Sequence, residues 1–452
     1  MATVFSLNFS SGNVLLHWVR MRFIVATKDY AGLGFAVRLQ DEGHEVLLAT
    51  NPGPEDAGDP ERMKTFDLVG KGMVDKASFA DLVNRRKELR EWYWVWDSNH
   101  GVEENELLRA EGYKVLCGGR HADTMEHDRQ ACLEFAATYG LDAPASFPFS
   151  EIGEAIRFCE TNPNTAYVYK PDEGANFETF LPESDDPLDA NLELRMHLRS
   201  MTETGSFILQ ERKEGVETNV EVWMQDGDPV FAFMTLESKK KYVMDMGELV
   251  GCAFDFAFVI PLDCKAVTES VGKLYPAYKK MRYTGFADAN FIASRDGLWF
   301  FEKCERFGYN AHPNLLFNLS RRGVDDVFAS LVDGNLKPDF SGGFGATVTM
   351  STKANPTGGK VIQFPPKLWK DIFWWDVYKK GEHHLTAGYD REGYVLILTA
   401  YGYTIPTAWE KLMQRAAQIK FPYRNYRPDG DRTDYPSSPI RRYEALRAMG
   451  YI

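Results

Sequence analysis

From Met21 onward the chain alternates in a way that few folds accommodate. An apolar run, Phe23-Ile24-Val25-Ala26, leads to a turn carrying Gly32 and Gly34, a helical stretch to Glu42, a stop at Gly43, and a second run, Glu45 to Ala49. Short apolar runs separated by one amphipathic helix read as parallel strands, because parallel neighbours need a crossover and cannot be joined by a hairpin. The pattern recurs. Trp92-Tyr93-Trp94-Val95-Trp96 ends at Asp97-Ser98-Asn99, a helix is expected from Glu104 to Glu111, and Gly112 precedes Lys114-Val115-Leu116. Residues 21–120 therefore predict a small doubly wound parallel α/β domain, whose strand ends are the usual place for a ligand. The tryptophan run is expected to be a buried strand.

Beyond residue 120 the pattern changes. A helix is expected from Glu126 to Tyr139, then a strand around Ala145–Phe149 and a helix from Glu151. The middle of the chain is β-rich, with strands over 166–170, 206–211, 218–224, 229–235, 286–293 and 298–302. Gln225-Asp226-Gly227-Asp228 and Ser294-Arg295-Asp296-Gly297 have hairpin chemistry. The Gly-rich stretch Ser341 to Gly345 opens a third region with one clear helix, Pro406 to Ile419. The length, 452 residues, accommodates about three domains. Residues 1–20 are poorly patterned, and the functional chain is expected to begin near Met21.

With 52 basic and 65 acidic side chains the formal charge is −13, which argues against a membrane-surface or non-specific nucleic-acid binder. Six cysteines stand singly with no CxxC pair, a pattern of reduced cytoplasmic thiols. Nothing in the sequence reads as a signal peptide or membrane span.

Three elements carry chemistry. Asp288 and Glu302 lie on two strands joined by a tight turn, so both carboxylates can face one side at adjacent positions, as hard oxygen ligands for magnesium bridging phosphates. Arg306, a turn further on, can stabilise charge on a transferring phosphoryl group. A solvated strand face accounts for the same residues. Lys170 ends an otherwise apolar run, where an unpaired ammonium is costly, and the turn Asp172 to Asn176 after it can cover phosphates. The run Phe207 to Glu217 breaks at Gly215, exposing backbone groups to a base edge.

Taken in order, these residues resemble the ATP-grasp superfamily, and within it the phosphoribosylamine–glycine ligase family, from Met21 to about Asp431. The resemblance implies an α/β and α+β multidomain chain: an N-terminal doubly wound parallel α/β domain over 21–120, a central ATP-grasp fold over 121–340 with a lid subdomain at about 145–215, and a C-terminal mixed β/α domain over 341–452. It places Arg129 where the family has a phosphate-contacting lysine, and matches Lys170 to the strand lysine that reaches the α-phosphate. Gln210, Glu211 and Lys213 fall at the adenine hinge, and Glu217 at the ribose. Glu237-Ser238-Lys239-Lys240 looks like the family's Asp-His-Lys-Arg segment, with Lys239 near the phosphates. Glu302 matches the metal glutamate, and Arg306-Phe307-Gly308 the Arg-Phe-Gly after it. Tyr426-Arg427-Pro428-Asp429 is similar to the closing tail.

The implied cofactors are ATP and Mg2+ or Mn2+. The implied activity is ATP-dependent ligation of a small carboxylate to an amine through an acyl-phosphate, in purine biosynthesis, by a cytoplasmic monomer or small homo-oligomer. Two alternatives are a ligase for another acid and amine, such as a modified nucleotide or base, and a silent nucleotide-binding relative. Several positions depart from the family. Cys304 replaces its metal asparagine, and a thiol is a poor magnesium ligand, for which Asp288 can compensate. Lys28 to Gly34 replaces the Gly-Gly-Arg-Glu-His segment, although its glycine turn can still bind an anion at the helix N-terminus.

Overall fold

A computed structural model describes residues 20–171, 179–201, 205–435 and 437–452. The extension before residue 20 and the turn Asp172 to Asn176 lie outside these residues. The first sheet holds β1 (Arg22–Ala26), β2 (Glu45–Thr50), β3 (Asp75–Ser78), β4 (Tyr93–Trp96) and β5 (Lys114–Leu116) in the order β3-β2-β1-β4-β5, with every pair parallel. Its central strands β1 and β4 are buried along nearly their whole length, which is why they read as unbroken apolar runs. Gly34 lies inside the first helix, Leu33–Asp41, where any side chain would collide with the Phe373 ring. Its role is close packing.

Three strands, β6 (Ser146–Phe149), β7 (Tyr167–Pro171) and β8 (Phe207–Glu211), form a small antiparallel sheet ordered β6-β8-β7. With helices Ile152–Thr161 and Pro187–Ser200 it encloses its own apolar cluster, including Cys159, Tyr169, Leu194 and Phe207, apart from the main core.

The largest sheet has nine strands. β9 (Val216–Gln225), β10 (Asp228–Thr235), β11 (Ser238–Tyr242), β12 (Met246–Ile260), β13 (Gly285–Ser294), β14 (Gly297–Lys303) and β15 (Phe344–Ser351) are joined by β17 (Ile372–Trp374) and β20 (Tyr394–Gly402). The path runs β14-β13-β9-β10-β12-β15-β20-β17, with β11 paired to β12, and every pairing is antiparallel. Strands from the third region thus extend the central sheet. The remaining β16 (Val361–Ile362), β18 (Val377–Lys380) and β19 (His383–Thr386) form a three-stranded sheet. The β9–β10 hairpin turns on Asp226 and Gly227, both at positive φ, as a two-residue type I′ loop requires.

Two readings need correction. The helix expected from Glu126 to Tyr139 is two helices, Arg120–His127 and Arg129–Thr138, because Asp128 adopts an extended backbone and its carboxylate caps Ala131 N. The strand expected to break at Gly215 is two strands in different sheets, so this segment is the chain's passage from the small sheet to the large one. Among the described residues no helix is long and apolar enough to cross a membrane.

Candidate active site

Strand register assembles the site. Glu221 pairs with Asp288, Asn219 with Asn290, and Asn290 in turn with Glu302. Because paired residues share a face, Asn219, Glu221, Asp288, Asn290 and Glu302 form one polar patch across β9, β13 and β14. Asp288 and Glu302 are on the same side, as expected, but diagonal to each other, since Asn290 takes the place opposite Glu302.

Lys303 alternates to the reverse face and is fully buried. Its ammonium lies 2.6 Å from the equally buried Glu305 and 2.6 Å from the Tyr278 hydroxyl. Tyr278 also bonds Glu305, and His121 stands 3.3 Å from it. Burial pushes the Glu305 carboxyl upward, but Lys303 and His121 outweigh it and hold the group down at about 2. This ion pair anchors the segment from which Glu302, Cys304 and Arg306 project the other way.

A cavity of about 310 Å3 is lined by Arg129, Lys239, Asp288, Glu302, Cys304 and Arg306, six of the residues singled out from the sequence. The Lys239 ammonium is 3.2 Å from Glu217, 3.7 Å from Glu237 and 3.9 Å from Glu302. Burial alone would lower its pKa, yet these carboxylates raise it well above the ordinary lysine value. Lys239 also draws the Glu217 carboxyl down. The turn between β11 and β12 is pinned by Arg427 of the closing tail. This buried guanidinium bonds Asp429, Asp245 and the Lys240 carbonyl.

At the other end, Lys170 donates to Gln210 Oε1 at 2.7 Å, and its ammonium stands 4.9 Å over the Phe301 ring, which also lines the cavity. Burial pulls its pKa down to about 8. Glu211 pairs with Lys213 at 2.7 Å, and Lys213 lies over the Trp299 ring. Glu211, Lys213, Gln210 and Glu217 belong to the surroundings of the cavity rather than its lining. Arg306 donates to Glu126 Oε1 at 2.7 Å, and Glu126 accepts a second bond from Asn99 at 2.8 Å.

A divalent cation fits the donor set. The buried Asp288 carboxylate receives one amide bond, from Asn219 at 2.9 Å, and burial with Glu221 opposite raises its pKa well above the carboxylate range. Such a group is stabilised by a cation. Among the described residues no three His, Cys, Asp or Glu side chains are grouped so as to hold a metal by themselves. A metal on Asp288 and Glu302 would therefore complete its shell with ligand oxygens. Burial, then Glu302, raises the Cys304 thiol well above its usual pKa, and a thiol is a soft donor that suits magnesium poorly. Asn290, whose amide is 4.0 Å from the Cys304 sulfur, brings an amide to the same spot from the neighbouring strand.

Asn219, Glu221, Asn290 and Asp255 were not singled out from the sequence. They are polar residues at alternate positions of strands that are otherwise largely buried, and cross-strand register reveals their convergence. Asp255 lines the cavity, and burial, then Glu237, pushes its carboxyl up to about 8. His312 is structural: its Nδ1 accepts from Gly308 N at 2.8 Å, and its Nε2 is 3.1 Å from Glu221.

No family model and no curated protein matches the sequence. Solved structures do match. Phosphoribosylamine–glycine ligase from Thermotoga maritima is 18% identical, with a TM-score of 0.68 over 90% of this chain and 100% of that one. Phosphoribosylglycinamide synthetase from Anaerococcus prevotii is 13% identical, with a TM-score of 0.57 over 89% of this chain and 99% of that one. The biotin carboxylase domain of 2-oxoglutarate carboxylase from Hydrogenobacter thermophilus, solved with MgADP and bicarbonate, is 12% identical, with a TM-score of 0.59 over 90% and 92%. The chain therefore has an ATP-grasp fold that resembles phosphoribosylamine–glycine ligase along nearly its whole length.

Proposed function

We propose that this protein is an ATP-dependent ligase that joins a carboxylate to an amine through an acyl-phosphate, with ATP and Mg2+ or Mn2+ as cofactors. The observation that carries the reading is the convergence of Arg129, Lys239, Asp288, Glu302 and Arg306 on one cavity, with Lys170 at its edge. Bound magnesium would neutralise phosphate charge and polarise the transferring phosphoryl group. Asp288 and Glu302 would hold it. Lys170, Lys239 and Arg129 position the phosphates. The hinge around Gln210, Glu211 and Lys213 receives the adenine, and Glu217 the ribose. Arg306, steered by Glu126, faces the charge that develops as the carboxylate is phosphorylated. The chain's work is positioning and electrostatics rather than nucleophilic attack.

The test is release of ADP by the full chain with ATP, magnesium and a panel of small acids and amines. Glu302→Gln is expected to abolish release while leaving the fold intact. ATP binding without ADP release on any acid and amine pair would end the proposal in favour of a silent nucleotide-binding relative, and release unchanged in Glu302→Gln would overturn the metal role given to Glu302.

A further inference from the structure

A second cavity, of about 890 Å3, opens on the third region and shares no lining residue with the first. It is lined by residues of β16, of the β18–β19 hairpin and of the helical turn Pro366–Asp371 that leads into β17. A space of this size holds a small molecule. Its wall is aromatic: the half-buried rings of Phe364 and Trp369 stand 5.4 Å and 5.3 Å from that of His384, and the buried Trp374 stacks on His384 at 5.2 Å. The Trp369 indole is fixed by a hydrogen bond from its Nε1 to Asp41 of the first helix. Rings held in this way receive another planar group with little further ordering. Two buried nitrogens of the cluster, His384 Nε2 and Trp374 Nε1, have no hydrogen-bond partner among the described residues, whereas buried polar atoms are normally paired.

The rim of this cavity is basic. Lys367, Lys370 and Lys379 line it, are exposed, and form no ion pair with any described residue. Glu382 is the one carboxylate in the described lining. Asp41 lies within electrostatic reach of Lys370, but its carboxylate already accepts from Trp369. Burial, then Lys379, lowers the His384 pKa, so the imidazole is neutral at pH 7 and the lysines carry the charge. In a chain of net charge −13, three unpaired ammoniums around one aromatic wall form a local field that attracts an anion against the overall one. Lysine holds a phosphate or carboxylate as a point charge, and a ring face holds any planar ring, so together they select a ligand that has both.

We infer that this cavity is a second binding site, for a small planar aromatic anion whose ring lies on the wall of Phe364, Trp369 and His384 and whose phosphate or carboxylate meets Lys367, Lys370 and Lys379. The site is separate from the phosphoryl-transfer cavity and stands whether or not the ligase reading holds. Titration calorimetry on the full chain uses uridine 5′-monophosphate and indole-3-acetate as probes, against uridine, a ring without the charge, and ribose 5-phosphate, a charge without the ring. At least one of the two aromatic anions is expected to bind about tenfold or more tighter than either control. Lys367→Glu combined with Lys370→Glu should weaken that binding about tenfold or more, and Trp369→Leu should do so separately, while the thermal shift produced by ATP-magnesium keeps its size. The lysine pair is exposed and carries the test if Trp369→Leu fails to fold. Failure of both probes to bind, binding no tighter than that of a control, or binding that a folded variant leaves unchanged overturns the inference. Loss of the ATP-magnesium shift together with probe binding would put the probe in the first cavity and overturn it as well.

Discussion

Replacing Lys170 with methionine should make the ligand-free protein more stable and useless for ATP. The lysine is 9% exposed, and burial draws its pKa from 10.5 to about 8, so carrying the charge at pH 7 costs roughly 3 kcal/mol relative to an unfolded chain. Methionine removes that cost but strips Gln210 Oε1 of its donor, a loss of about 1 kcal/mol. The net gain is about 2 kcal/mol. The sign with pH follows from linkage: between pH 8 and 10.5 the unfolded lysine holds more protons than the folded one, so wild-type stability rises through that window. The advantage of Lys170→Met is therefore full below pH 8, shrinks through that window, and by about pH 10.5 has turned into a deficit of about 1 kcal/mol, the lost hydrogen bond. Chemical denaturation of both proteins at pH 7 and pH 10 measures it, and calorimetry with ATP-magnesium measures the loss of binding. A variant that is less stable at pH 7, or whose advantage is the same at both pH values, refutes the assignment of Lys170 as a cation held unpaired for a phosphate.

Other outcomes follow from the same geometry. Asp288→Asn should stabilise the metal-free protein, because it removes a buried carboxyl whose pKa is pushed up by burial and Glu221, yet cut magnesium-dependent ADP release by about a hundredfold or more. Lys303→Met alone should cost about 3–5 kcal/mol by leaving Glu305 buried without its cation, whereas Lys303→Met with Glu305→Leu should recover most of it, as paired denaturation curves would show. Cys304→Asn should tighten metal binding in the presence of ATP, read by manganese titration, and the wild-type thiol should react slowly with iodoacetamide at pH 7 because it is protonated.

The parallel sheet was legible because its central strands are apolar on both faces, while β3 escaped notice because Asp75-Lys76-Ala77-Ser78 is a short polar edge. The hairpins were legible from Asp226-Gly227 and the 294–297 turn, since those residues tolerate the backbone such turns impose. β12 was not: its first six residues are exposed or half-buried and include two glycines, so they carry no two-residue alternation. At the site, Asp288 and Glu302 stood out by spacing and Lys239 by resemblance to a family segment, but Glu221, Asn219 and Asn290 depend on which residue faces which across β9 and β13.

The long strand β12 has a consequence for how the molecule comes into being. On one side it pairs with β10, which has already been made; on the other it awaits β15, whose first residue follows its last by 344 − 260 = 84 positions. At about 5–20 residues per second of synthesis, that edge stands bare for roughly 4–17 s on the ribosome, with its amides and carbonyls open to any passing strand. A chain released before Phe344 would keep that edge permanently. Newborn protein should therefore depend on chaperones during this interval, and fragments ending near residue 340 should precipitate rather than fold.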